Sequence, residues 1–132
     1  MTRYFILDPA KTLADDAIDT IDCENWDGLR EWLGCELIEA TPVRIGDRDF
    51  ELLVDEEGLL KGDELPPVSS IYTDGEGWYG HTFGKVAVTL PPDDEGRDVS
   101  MTDEDIRYIL GHLGSADGGE HAVIVINFDW EE

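Results

Sequence analysis

Lysine, cysteine and long apolar runs are all scarce in this chain, and each scarcity removes a class of function. Lys and Arg together number 9 against 32 Asp and Glu, so the formal net charge is -23 over 132 residues. Direct nucleic-acid binding depends on cations that neutralise phosphates. Binding to anionic membrane surfaces depends on basic clusters. Neither is expected. The two cysteines, Cys23 and Cys35, give no disulfide framework. With His81, His112 and His121 they share no zinc spacing, and they read as packing residues flanking the first helix. No apolar stretch approaches the roughly 20 residues of a membrane-spanning helix. Asp8 and Pro9 cut short the apolar start at residues 4–7, so no secretory signal is read. The expectation is a cytoplasmic protein with free thiols.

Motifs that bring chemistry are absent as well. The calcium-loop pattern fails at Gly28, where Gly34 stands in place of the required Glu, and at Gly96, where Pro91 occupies the first ligand position. There is no phosphate-binding loop, no dinucleotide fingerprint and no nucleophile elbow. Ser69 and Ser70 have no His near them in sequence. Among 32 acids some carboxyl pair is always close, so pairing by itself signals nothing. Glu120 next to His121 is the best single acid–base spot, and a solvated loop is the simpler reading. No cofactor and no metal is expected, nor is an enzymatic role.

What is present is enough apolar residues, 41%, for a core in one domain spanning 1–132, with an acidic tail at 129–132. Residues 50–61 are the clearest structural signal: an apolar strand enters a tight turn at Asp55, Glu56, Glu57 and Gly58 and leaves it apolar. Strands are read at 4–7, 17–23 (where a short turn of helix is the alternative), 35–45, 50–55, 86–90 and 122–126. Pro42 marks the third as an edge strand or a bulged one. Residues 122–126 are apolar throughout, as in a strand covered on both faces, whereas 86–90 alternate as if half-buried. Helices are read at 26–33, closed by Gly34, and from an N-cap at Thr102 to a stop at Gly114. The second has Asp105 at N3, Met101 stapled onto Ile106, and a buried stripe of Ile106, Ile109, Leu110 and Leu113. Residues 62–80 read as one long irregular segment anchored by aromatics. The fold class is α+β: a mainly antiparallel sheet with two helices packed on it.

Short pieces of the chain resemble a known family. They are residues 6–9 (Ile-Leu-Asp-Pro), 33–39 (Leu-Gly-Cys-Glu-Leu-Ile-Glu), 54–61 (Val-Asp-Glu-Glu-Gly-Leu-Leu-Lys) and 83–88 (Phe-Gly-Lys-Val-Ala-Val). The chain is similar over about residues 3–90 to the domain of unknown function 3846, small proteins of phages, plasmids and bacterial mobile elements. It departs from the pattern at 62–67, where Gly-Asp-Glu-Leu-Pro-Pro replaces a Leu-Pro-x-Asn-Arg type of segment. The resemblance implies a mobile-element setting and supplies no catalytic residues.

The charge suggests a small non-enzymatic interaction protein that presents carboxylates where a basic nucleic-acid-binding or defence protein expects phosphates. The partner would be a basic host protein. Candidate contacts are Asp15, Asp16, Asp19, Asp55, Glu56, Glu57, Asp93, Asp94, Glu95, Asp103 and Glu104. Two alternatives stand beside this reading. Only three lysines, Lys11, Lys61 and Lys85, among so many acids is the composition of a salt-adapted domain. Tyr72, Trp78, Tyr79 and Phe83, set among glycines, could instead form a small-molecule-binding loop.

Overall fold

The computed structural model describes residues 2–11, 14, 16–24, 26–34, 36–55, 68–73, 78–96, 99–115 and 121–127. Their order is β1 (Thr2–Leu7), β2 (Ile18–Cys23), α1 (Trp26–Leu33), β3 (Ile38–Ile45), β4 (Arg48–Asp55), β5 (Val68–Thr73), β6 (Trp78–Phe83), β7 (Val86–Thr89), α2 (Asp103–Leu110), β8 (Leu113–Ser115) and β9 (Ala122–Asn127). The strands form one nine-stranded sheet in the order β2-β1-β7-β4-β3-β9-β5-β6, with β8 beside β9. All pairs are antiparallel except β5–β9, so the sheet is mainly antiparallel with two helices, as expected of an α+β chain.

Alternation sorts the core onto two faces. Phe5 and Leu7 of β1, Phe50 and Leu52 of β4, and Val86 and Val88 of β7 join Val43, Ile45, Ile109, Ala122, Ile124 and Ile126 in one buried cluster beneath α2. Tyr4, Ile6, Leu53 and Ala87 point the other way and join Cys23 and Leu29 beneath α1. The helices therefore cover opposite faces. This corrects the half-buried reading of residues 86–90: Val86, Ala87, Val88 and Thr89 are all buried, because β7 lies between β1 and β4 with a helix above and below.

Helix α1 has the bounds expected, and the Gly34 N–H closes its end on the Arg30 carbonyl at 2.8 Å, with Gly34 at φ +73°. Helix α2 starts at the expected capping box: the Thr102 hydroxyl accepts from the Asp105 N–H, and the Asp105 carboxylate accepts from the Thr102 N–H. It stops earlier than its apolar spacing suggests. Gly111 is the C-cap, Leu113 begins β8, and Leu110 is 44% exposed instead of lying in a buried stripe. Residues 113–115 instead pair with β9, so their backbone groups are satisfied within the sheet.

Two further expectations are revised. Residues 62–80 are not irregular throughout: 68–73 and 78–83 are the strands of the β5–β6 hairpin, and β5 runs parallel to β9 from Ser70↔Ile124 to Thr73↔Asn127. Strand β3 begins at Ile38, not Cys35. Its Pro42 pairs with Glu51 of β4, while β3 meets β9 only at Arg44↔Asn127, so Pro42 sits on a stretch without a second strand among the described residues.

Candidate functional site

Register divides the described acidic candidates between two ends of the sheet. Phe5 and Leu52 both align with Val88, so β7 delivers the chain after Thr89 to the end where β1 and β4 begin. There Asp93 builds a tight turn. Its side chain accepts from the Glu95 N–H at 2.9 Å, and its carbonyl accepts from the Gly96 N–H at 2.9 Å. Gly96 sits at φ +80°, the left-handed region that favours glycine. Asp93, Asp94 and Glu95 are exposed. The chain is then tied to β1: the Arg3 N–H donates to Ser100 Oγ at 3.0 Å and the Met101 N–H to the Arg3 carbonyl at 3.3 Å. Helix α2 starts at that tie, with exposed Asp103 and Glu104 in its first turn, where the positive end of the helix dipole favours them.

The opposite end carries Asp16 and Asp55. Asp16 has φ +64°, and Asp55 aligns with Ile38 at the start of β3. Asp19, exposed, pairs with Ile6 on the outermost strand β2. The candidates thus form separate groups. Asp15, Glu56 and Glu57 lie outside the described residues. Tyr72, Trp78, Tyr79 and Phe83 fall on β5 and β6, but their side chains lie outside the described set.

Sequence reading missed the contact that fixes α2. At its far end the helix docks on the β3–β4 turn. The Tyr108 hydroxyl donates to Asp47 Oδ1 at 2.6 Å and accepts from the Asp47 N–H at 2.9 Å. The Tyr108 ring stacks on His112 with centroids 4.4 Å apart, and His112 Nδ1 lies 2.8 Å from the Tyr108 carbonyl. Arg48 lies over the rings of Phe50 and Tyr108, at 5.4 and 4.8 Å, and pairs with Asp105. Gly46, at φ +62°, lets the turn approach: a Cβ there would collide with the Tyr108 hydroxyl and lie 2.7 Å from His112 Nε2. The i, i+4 spacing of Tyr108 and His112 was the sequence signal for their stack. Nothing local joined them to Asp47.

Electrostatics at this end keep the carboxylates charged. The Tyr108 hydroxyl holds Asp47 below its ordinary value, and the same bond raises the Tyr108 phenol. Burial pushes Asp105 up, but hydrogen bonds from Thr102 and Arg48 outweigh it and the net shift is downward. Three arginines here are engaged. Arg3 lies 2.8 Å from Asp103 and 4.0 Å from Asp22, Arg44 lies 3.2 Å from Asp49, and Arg48 holds Asp105.

Cys23 is buried under α1, where a Cβ on Gly28 would lie 2.8 Å from its Sγ; desolvation, then the neighbouring Asp22, raises its thiol. Packing is its visible role. Cys35 lies outside the described residues. Among the described residues no group of three or more His, Cys, Asp or Glu is placed to hold a metal. No helix among them is long and apolar enough to cross a membrane.

The family model for a domain of unknown function, DUF3846, matches residues 2–114, and the chain belongs to that family. No curated protein and no solved structure matches it. The matched region contains β1 through α2 and stops before β9, the strand that joins the β5–β6 hairpin to the sheet.

Proposed function

We propose that the chain is a non-enzymatic binding protein whose acidic end engages a basic partner protein. The target would be one that handles nucleic acid, and this surface would stand in for phosphates. The observation that carries the reading is the arginine pairing. Arg3, Arg44 and Arg48 are each held by a carboxylate, and Asp93, Asp94, Glu95 and Glu104 are exposed at the same end of the sheet. A chain of net charge -23 arranged in this way projects a negative field that speeds encounter with a basic cleft.

The test is capture by a panel of immobilised basic DNA-binding proteins, with DNA as competitor. Neutralising the end through Asp93→Asn, Asp94→Asn, Glu95→Gln and Glu104→Gln together should weaken capture at least about tenfold, and DNA should displace the protein. Neutralising Asp16 and Asp55 should leave capture nearly unchanged. Equal losses from both sets, or indifference to DNA, overturn the reading. If the protein instead unfolds at low salt, its acidity serves salt adaptation.

A further inference from the structure

We propose that the outer edge of β2 accepts an extended basic segment as an added antiparallel strand. The proposal rests on the acidic-binder reading and specifies how a partner would dock. The sheet order ends at β2, which pairs with β1 through all six residues, from Ile18↔Leu7 to Cys23↔Thr2, without a register shift. No other described strand pairs with it. A straight edge of this kind is a template for another strand.

The edge carries a detail that points to its occupant. The Thr20 N–H donates to the carboxylate of Asp19 at 2.8 Å. This places the Thr20 backbone on the outer edge, along with Ile18 and Asp22 by alternation. A carbonyl from an incoming strand can take that N–H and release Asp19 to a cation on the same segment. Asp19 and Asp22 are both exposed and lie on opposite faces of β2: Asp22 is beside Arg3 and Asp19 pairs with Ile6. Their spacing requires cations three residues apart on the added strand. An apolar residue fits opposite half-buried Ile21. The recognised pattern is cation–apolar–any–cation.

A second copy of the chain fits poorly. A second copy would bring another chain of net charge -23 to the same edge, and that self-repulsion opposes the pairing. Charge complementarity selects a basic segment.

The test uses the full chain and two synthetic peptides of equal charge, one containing Lys-Val-Thr-Lys and one with those residues reordered as Lys-Lys-Val-Thr. Amide exchange followed by NMR should show the Thr20 N–H gaining at least about tenfold protection with the first peptide only. Thr20→Pro removes one outward donor and is tolerated on an edge, so it should abolish binding while the β1–β2 amides stay protected. Asp19→Asn with Asp22→Asn should weaken binding about tenfold. Equal binding of both peptides, protection appearing away from β2, or undiminished binding by the Thr20→Pro variant overturns the proposal. So does binding of neither peptide, with the charged edge then serving only to block strand pairing. Capture of basic proteins by the acidic end would survive each of these results, so the two readings fail separately.

Discussion

On the face that carries α1, the buried side chains are Tyr4, Ile6, Cys23, Leu29, Leu53 and Ala87, drawn from the β1, β2, β4 and β7 part of the sheet. On the face that carries α2, the cluster runs from Phe5 and Leu7 through Phe50 and Val88 to Ile124 and Ile126. The first helix rests on one block of strands. The second rests on side chains from both blocks, which among the described residues share one backbone bridge between β3 and β9, at Arg44↔Asn127. Polar contacts differ in the same sense. On the α1 side, Lys85 lies over the Trp32 ring at 5.3 Å and donates to the Trp32 carbonyl at 3.2 Å. Helix α2 is tied at its start to Arg3 and at its end to Asp47. Among the described residues, then, the joint between the two blocks is made chiefly by side chains under α2 and less by the β3–β9 ladder.

The largest effect should come from the core under α2. Ile109→Ala should cost about 2–5 kcal/mol in denaturant unfolding, the range for a fully buried aliphatic truncation. It should also speed amide exchange in β4, β7 and β9 together. Leu29→Ala falls in the same class of loss but should leave β9 exchange unchanged. Matching exchange patterns in the two variants would break the comparison.

Next in size is a pair of glycines with similar backbone and different surroundings. Gly34 has φ +73° with nothing within 4 Å of an added Cβ, whereas Gly46 has φ +62° and faces Tyr108 and His112. Each alanine variant meets left-handed strain of about 1–2 kcal/mol. Gly46→Ala adds the collision and should lose at least about 1 kcal/mol more by the same assay. Equal losses would mean that the turn does not depend on its approach to α2.

The smallest effect is the pH dependence of the polar contacts on the α2 side. Asp47 and Asp105 are shifted down, so their contribution is present above the ordinary carboxylate range near about 4 and is lost as pH falls below it. Tyr108 is shifted up, so its contribution is present at and below the ordinary phenol value near about 10 and is lost as pH rises through the raised value. Relief of charge repulsion acts in the opposite direction in acid, so the informative quantity is the melting-temperature difference between wild type and variant. For Asp105→Asn this difference should shrink as pH falls below about 4. For Tyr108→Phe it should shrink above about pH 10. Differences that stay constant over both ranges would remove the latch from the account.

Much of the fold was legible wherever the signal was local. The Thr102 and Asp105 capping box and the closing Gly34 each involve residues a few positions apart, and each appears in the structure. The β5–β6 hairpin was missed although an Asp-Gly pair stands in the sequence at 74–75, between its two strands. Glycines and polar residues around it hid the alternation. The pairing of β5 with β9 joins Ser70 to Ile124, a distance in sequence over which no periodic pattern carries information. The acidic groups show the same limit. Their abundance is plain in the sequence, but which of them share an end depends on strand register.

The sequence by itself determined the charge, the class of elements and most helix starts and stops, because composition, capping and short-range sterics act between near neighbours. Tertiary structure decided that β7 is central, that the helices take opposite faces, and that α2 ends at Leu110 in favour of β8. It also placed Asp93 to Glu95 and Asp103 at one end of the sheet and Asp55 at the other. These outcomes follow from which strands share hydrogen bonds, and a backbone donor or acceptor does not encode in its own residue which distant strand will satisfy it.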